Sequence, residues 1–172
     1  LCGTMSVGKT TLVNALKELE QFKGYNFATE RSQHLMSLGI PLNTDSTLKG
    51  QTIFLAERCS ELIQENIITD RTIIDVMSFT QNAKSIPYQD KEAFEKYASE
   101  FIYDYDVIFY ISPKGIDIED NGIRETNVEY RDLIDDTIVE LIQKYGHRAG
   151  NIEIISGTTE ERIQQILNIT NL

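Results

Sequence analysis

One stretch near the start of the chain, Gly3-Thr4-Met5-Ser6-Val7-Gly8-Lys9-Thr10, limits what the rest can become. It has the spacing G-x-x-x-x-G-K-T, a phosphate-binding loop between a strand and a helix. Two glycines let the backbone curl until successive N–H groups face one anion. The helix that follows aims its positive end at the same point. Lys9 is placed to reach the β- and γ-phosphates, and the Thr10 hydroxyl to join a Mg²⁺ shell. The expected nucleotide set is therefore Gly3, Ser6, Val7, Gly8, Lys9, Thr10 and Thr11, for a nucleoside triphosphate with Mg²⁺. Only Leu1 and Cys2 precede the loop, whereas strands run about five residues, so the natural chain is expected to begin a few residues earlier.

The remaining pattern alternates apolar runs with amphipathic segments. Leu12, Val13, Leu16 and Leu19 predict a helix from Lys9 to about Glu20. Tyr25–Ala28 predicts a strand ending in the charged cluster Thr29-Glu30-Arg31-Ser32, His34–Leu38 a short helix, and 43–50 a polar loop. A helix is expected over Gln51–Glu65, with Ile53, Ala56, Cys59, Leu62 and Ile63 inward. Ile67–Thr69 reads as a brief strand ending in Asp70-Arg71, and Ile74–Ala83 as a helix. Asp90–Tyr103 is amphipathic through Ala93, Phe94, Tyr97, Ala98 and Phe101. Val107–Ile111 is a continuous apolar run of the kind buried in parallel sheets. Residues 112–127 are polar and glycine-punctuated. Val128–Tyr145 is a helix with Leu133, Ile134, Ile138, Leu141 and Ile142 on one side, and Ile152–Ile155 a last strand. Thr158-Thr159-Glu160-Glu161 is a capping box opening the final helix.

Strands separated by helices predict an α/β domain, a parallel sheet with helices on both faces, spanning 1–172. Ligands of such sheets sit at the carboxyl ends of the strands, which singles out Glu30, Asp70 and the stretch after Ile111. Asp70 suits Mg²⁺, held directly or through water. Arg71 suits a phosphate or a salt bridge at the sheet edge. Asp75 caps or orients the site. Glu30 suits a general base or an ion pair with Arg31. Gln51 could read a base edge, and Arg58, which shares its side of the helix only loosely, is expected to be structural. Arg124 and Arg131 suggest a lid over about 113–131 that closes on the phosphates. His34 and His147 have neither metal-ligand spacing nor a nearby nucleophile.

The formal net charge of -11 over 172 residues disfavours a nucleic-acid groove. Cys2 and Cys59 form no metal or disulfide pattern, and no apolar run reaches membrane-spanning length. The sequence reads as cytoplasmic, soluble and unattached to membranes; a homodimer is compatible with it.

Taken together, the phosphate loop, Asp70-Arg71 with Asp75, Gly122-Ile123-Arg124 with Tyr130-Arg131, and the terminal Ser156-Gly157-Thr158-Thr159-Glu160-Glu161-Arg162 resemble one branch of the P-loop kinases. That branch, AAA-like, includes the ribosylnicotinamide kinase domain of the bacterial NAD regulator, with thymidylate and deoxynucleoside kinases as more distant relatives. The resemblance spans the chain. It implies a three-layer P-loop NTPase fold with a five-stranded parallel sheet of order 2-3-1-4-5 and a lid. It also implies phosphate transfer from ATP to a nucleoside, nucleotide or related ribosyl compound. Glu30 or Asp70 would face the acceptor, with Arg31, Gln51, Arg71 and Asp75 around it. Arg124 and Arg131 would serve the lid, and Gly157–Arg162 would lie near adenine. Two departures concern the acceptor: Asn121 stands where relatives often carry aspartate, and Glu30 and Arg31 are adjacent where relatives space them apart. The other readings are a regulatory ATPase switch and a kinase acting on a nucleic-acid base or end. The D-x-x-G and N-K-x-D elements of GTPase switches do not occur.

Overall fold

A computed structural model describes residues 1–29, 31–116 and 127–172. Glu30 and the excursion carrying Arg124 lie outside the described residues. Seven helices and four strands alternate along the described chain: α1 (Lys9–Lys17), β1 (Asn26–Ala28), α2 (Ser32–Ser37), α3 (Leu48–Glu61), β2 (Ile67–Thr69), α4 (Ile73–Asn82), α5 (Tyr88–Ala98), β3 (Ile108–Tyr110), α6 (Val128–Tyr145), β4 (Ile152–Ile154) and α7 (Thr159–Thr170).

The strands pair in parallel, β1 with β2 and β3 with β4, with Phe27 opposite Ile68 and Phe109 opposite Glu153. Leu1 and Cys2 bond to both pairs. The Leu1 nitrogen donates to the Thr69 carbonyl at 2.6 Å. The Cys2 N–H donates to Phe109, and the Cys2 carbonyl accepts from Ile111. Parallel strands need a crossover between them, and the helices supply it.

Side chains alternate across an extended strand, so the run after Val107 feeds two cores. Ile108 and Tyr110 pack with α3, α4, α5 and α6, whereas Phe109 and Ile111 pack with α1, α7 and Phe22. This burial on both faces is why the run is apolar throughout rather than every second residue.

Several helix expectations are corrected. The segment expected as a loop over 43–50 contains a 3₁₀ turn, Asn43–Asp45, and the first residues of α3. The Thr47 hydroxyl caps α3 by accepting from the Gly50 N–H at 3.1 Å. The buried face of α3 is Gln51, Leu55, Arg58 and Glu61, while Ala56 and Ile63 are exposed. Gln51 and Arg58 thus share a side closely, since seven residues make almost two full turns. Leu133 and Tyr97 are also exposed, each on the outer side of its helix; Tyr97 finds its contact in a T-shaped ring pair with Phe101. Among the described residues no helix is long and apolar enough to cross a membrane.

Candidate active site

The loop between Cys2 and α1 turns on backbone angles that glycine tolerates. Gly3 has φ +152°, and a Cβ there would stand 2.6 Å from the Ile111 carbonyl oxygen. Gly8 precedes α1 at φ +82°, in the left-handed region that side chains disfavour. Ser6 also lies there, at φ +61°. Alternating conformations of this kind turn successive N–H groups into one concavity.

A cleft of about 570 Å³ opens at this loop. Met5, Ser6, Val7, Gly8, Lys9 and Thr10 line it. Thr29, Arg31, Ser32, His34, Leu42 and Asn43 line it as well, together with Asp70, Arg71 and Phe79. The cleft therefore sits at the carboxyl ends of β1 and β2, the position expected for a ligand.

Lys9 is buried and donates to the Gly3 and Thr4 carbonyls at 2.6 and 2.7 Å. Burial lowers the proton affinity of its ammonium, and the charge of Arg71 lowers it further, against the carboxylates of Asp75 and Asp70. The Thr10 hydroxyl donates to Asp70 Oδ2 at 2.5 Å. These two groups are hard oxygen donors at one end of the cleft, and their chemistry fits a Mg²⁺ ion. The Arg71 guanidinium lies 5.0 Å from the centre of the Phe79 ring, within cation–π range.

Arg31 connects the cleft to a charged cluster on α3. It pairs with Glu57 at 3.5 Å, and the buried Arg58 pairs with Glu61 at 2.5 Å and approaches Glu57 at 4.0 Å. Gln51 reaches a small side pocket of about 40 Å³ that shares Ser32, Leu42, Asn43, Arg71 and Phe79 with the cleft.

Other expected site residues lie elsewhere. Thr11 is exposed, one helical step past Thr10 and turned away from the cleft. Asp75 is fully buried: Oδ1 accepts from the Gly3 N–H at 3.1 Å, and Oδ2 from the Thr72 N–H and hydroxyl at 2.8 Å each. It caps α4 and anchors the loop, which satisfies the capping alternative and removes it from substrate. Arg131 donates to the Ile116 carbonyl at 2.7 Å, and its own carbonyl accepts from the Thr4 hydroxyl at 3.2 Å. Gly157 borders a separate surface hollow with Leu19 and Glu160, because it opens the turn into the α7 capping box. Arg162 is buried beside Val7 instead of facing the cleft.

Phe79, Asn14 and Asn43 line the cleft without having been singled out from the sequence. Phe79 was hidden because Ile73–Thr80 is buried on every side, which erases helical periodicity. Asn14, four residues past Thr10 on α1, was readable as its neighbour one turn on.

The fold and this loop define a P-loop nucleotide-binding protein of the α/β class. A family model described as an AAA domain matches residues 1–162, and the chain belongs to that family. No curated protein matches the sequence. Among solved structures, deoxyadenosine kinase from M. mycoides with bound dCTP is similar, at 19% identity and TM-score 0.66, over 99% of this chain and 96% of that one. The same kinase with products dCMP and a flexible dCDP bound gives 18% identity and TM-score 0.65, over 98% and 96%. The likeness is one of fold, and it agrees with the resemblance to P-loop kinases drawn from the sequence.

Proposed function

We propose that the protein is an ATP-dependent kinase that phosphorylates a nucleoside, nucleotide or related ribosyl compound. The observation that carries this reading is the cleft itself. One continuous cleft of about 570 Å³ joins the phosphate loop, with Lys9 and Thr10, to Asp70 after β2 and to Thr29 and Arg31 after β1. The deoxyadenosine kinase of similar fold, seen in two structures, supports the same class of acceptor.

In this reading the loop N–H groups and the start of α1 hold the β- and γ-phosphates of ATP. Lys9 leaves the Gly3 and Thr4 carbonyls to bind a phosphate oxygen. Thr10 and Asp70 would hold Mg²⁺, which when bound offsets charge on the phosphates. Arg71, fixed against Phe79, points cationic charge at the transferred group. Glu30, between two cleft-lining neighbours in sequence, takes the proton of the acceptor hydroxyl. Gln51 offers an amide to the acceptor from the side pocket, and Arg31 a cation at the rim. Arg124 neutralises charge that develops in transfer. Positioning and charge neutralisation supply most of the acceleration.

The fold that goes with this function is a five-stranded sheet of order 2-3-1-4-5, with Leu1–Cys2 as its central strand, in a cytoplasmic protein. The test is ADP release from Mg-ATP against a panel of nucleosides, mononucleotides and nicotinamide riboside. Acceptor-dependent ADP with a matching phosphorylated product is expected. ADP formed equally without any acceptor, or none at all, would overturn the kinase reading.

A further inference from the structure

We propose that Arg162 is a positioning residue of the phosphate site: it holds the Val7–Gly8 peptide so that the Gly8 N–H faces the anion, and adds a buried positive charge behind the loop. The inference rests on reading the loop as a polyphosphate site. It differs from the expectation that this residue lies near adenine.

The first observation is geometric. Arg162 lies on α7, 155 residues from Val7, and its Nη1 donates to the Val7 carbonyl at 2.7 Å. The same nitrogen stands 3.2 Å from where a side chain on Gly8 would begin. In a trans peptide the C=O and N–H point in opposite directions, and the described residues contain no cis peptide. Drawing the Val7 carbonyl toward α7 therefore turns the Gly8 N–H away from α7. Val7, Gly8 and Lys9 line the cleft, so that N–H is directed as an anion cradle requires.

The second observation is electrostatic. The Arg162 side chain is buried, 6% exposed, and among the described residues no carboxylate lies within ion-pair distance of it. Its Nε has no hydrogen-bond partner there either. A cation buried without counter-charge is costly to keep, and burial lowers its proton affinity. A polyphosphate across one peptide supplies the missing counter-charge. The loop then has two cations, Lys9 within the cradle and Arg162 behind it.

The test uses the full chain carrying Arg162→Lys, Arg162→Gln or Arg162→Leu. Calorimetric titration with ATP and with inorganic tripolyphosphate gives affinity, urea unfolding gives stability, and ¹⁵N-labelled glycine reports the Gly8 amide. Arg162→Leu is expected to weaken both ligands about tenfold or more, the scale of one lost charged hydrogen bond. Arg162→Lys should recover most of that loss, Arg162→Gln should fall between, and the shift of the Gly8 amide on adding tripolyphosphate should shrink in the same order. Lowered stability with wild-type affinity for both ligands would overturn the proposal and leave Arg162 a packing residue. Should Arg162→Leu not fold, the lysine and glutamine variants decide: equal affinities in the two would overturn the charge argument. A wild-type chain that binds neither ligand would instead overturn the reading of the loop on which the inference rests.

Discussion

The Thr10 hydroxyl and Asp70 Oδ2 meet at 2.5 Å across sixty residues of sequence, joining the first turn of α1 to the carboxyl end of β2. Both are acceptors of hard cations, and one bond holds them at the cation's expected place. Asp70→Asn should lower turnover by about tenfold to a hundredfold, as loss of a metal-positioning group does, and raise the Mg²⁺ concentration needed for half-maximal rate. A Mg²⁺ titration of initial rates checks this. An unchanged half-maximal concentration would assign the pair to structure alone.

Lys9 donates to two loop carbonyls that a phosphate oxygen would replace. Lys9→Ala should leave the fold intact and reduce phosphoryl transfer by at least about 10²–10³, the scale of one lost electrostatic contact at a reacting centre. Circular dichroism and initial rates on the same sample separate the two effects. Retained activity in the folded variant would sink the assignment.

The sequence displayed those parts of the molecule whose signals are local. α6 spans Val128–Tyr145 as its periodicity required, because Ile134, Ile138 and Leu141 recur on one buried stripe. The Thr158–Glu161 capping box is present with both of its bonds. The face of α3 was not legible, since its buried positions include Gln51, Arg58 and Glu61, which a count of apolar residues passes over. The hold of Asp75 on the loop and the task of Arg162 were out of reach for another reason. Their partners Gly3 and Val7 lie 72 and 155 residues away, and only the assembled sheet brings them together. The cleft was readable as strand ends plus a phosphate loop, whereas the part of its lining at Leu42, Asn43 and Phe79 depends on packing between elements.

Asp75 is a buried carboxylate with donors from two segments, the Gly3 N–H on one oxygen and Thr72 on the other. Asp75→Asn keeps the shape but faces an amide group toward N–H donors. It should cost about 2–4 kcal/mol of stability, because a buried donor loses a charged acceptor. Urea unfolding measures that loss. The variant should also bind ATP more weakly in proportion to its freed Gly3, while Asp75→Glu recovers neither property, since the longer chain does not fit the capping turn. Wild-type stability in Asp75→Asn would show that the Gly3 contact is dispensable.

Glu61 sets a pH dependence of its own. Burial pushes its carboxyl up from 4.5 to about 7, against the opposing charge of Arg58 and with the help of Glu57. The folded chain therefore keeps a proton on Glu61 that the unfolded chain gives up from about pH 4.5. Where the native state binds more protons, stability falls as pH rises. The contribution is fully present below pH 4.5 and is lost as pH climbs to about 7, with a total change of order 1–3 kcal/mol. Glu61→Gln removes the titrating group and keeps an oxygen for Arg58, so the slope of stability against pH over this window should flatten. Urea midpoints of the wild type and the variant at pH 5, 6 and 7 make the comparison. Parallel slopes would show that Glu61 does not set the pH dependence of stability over this window.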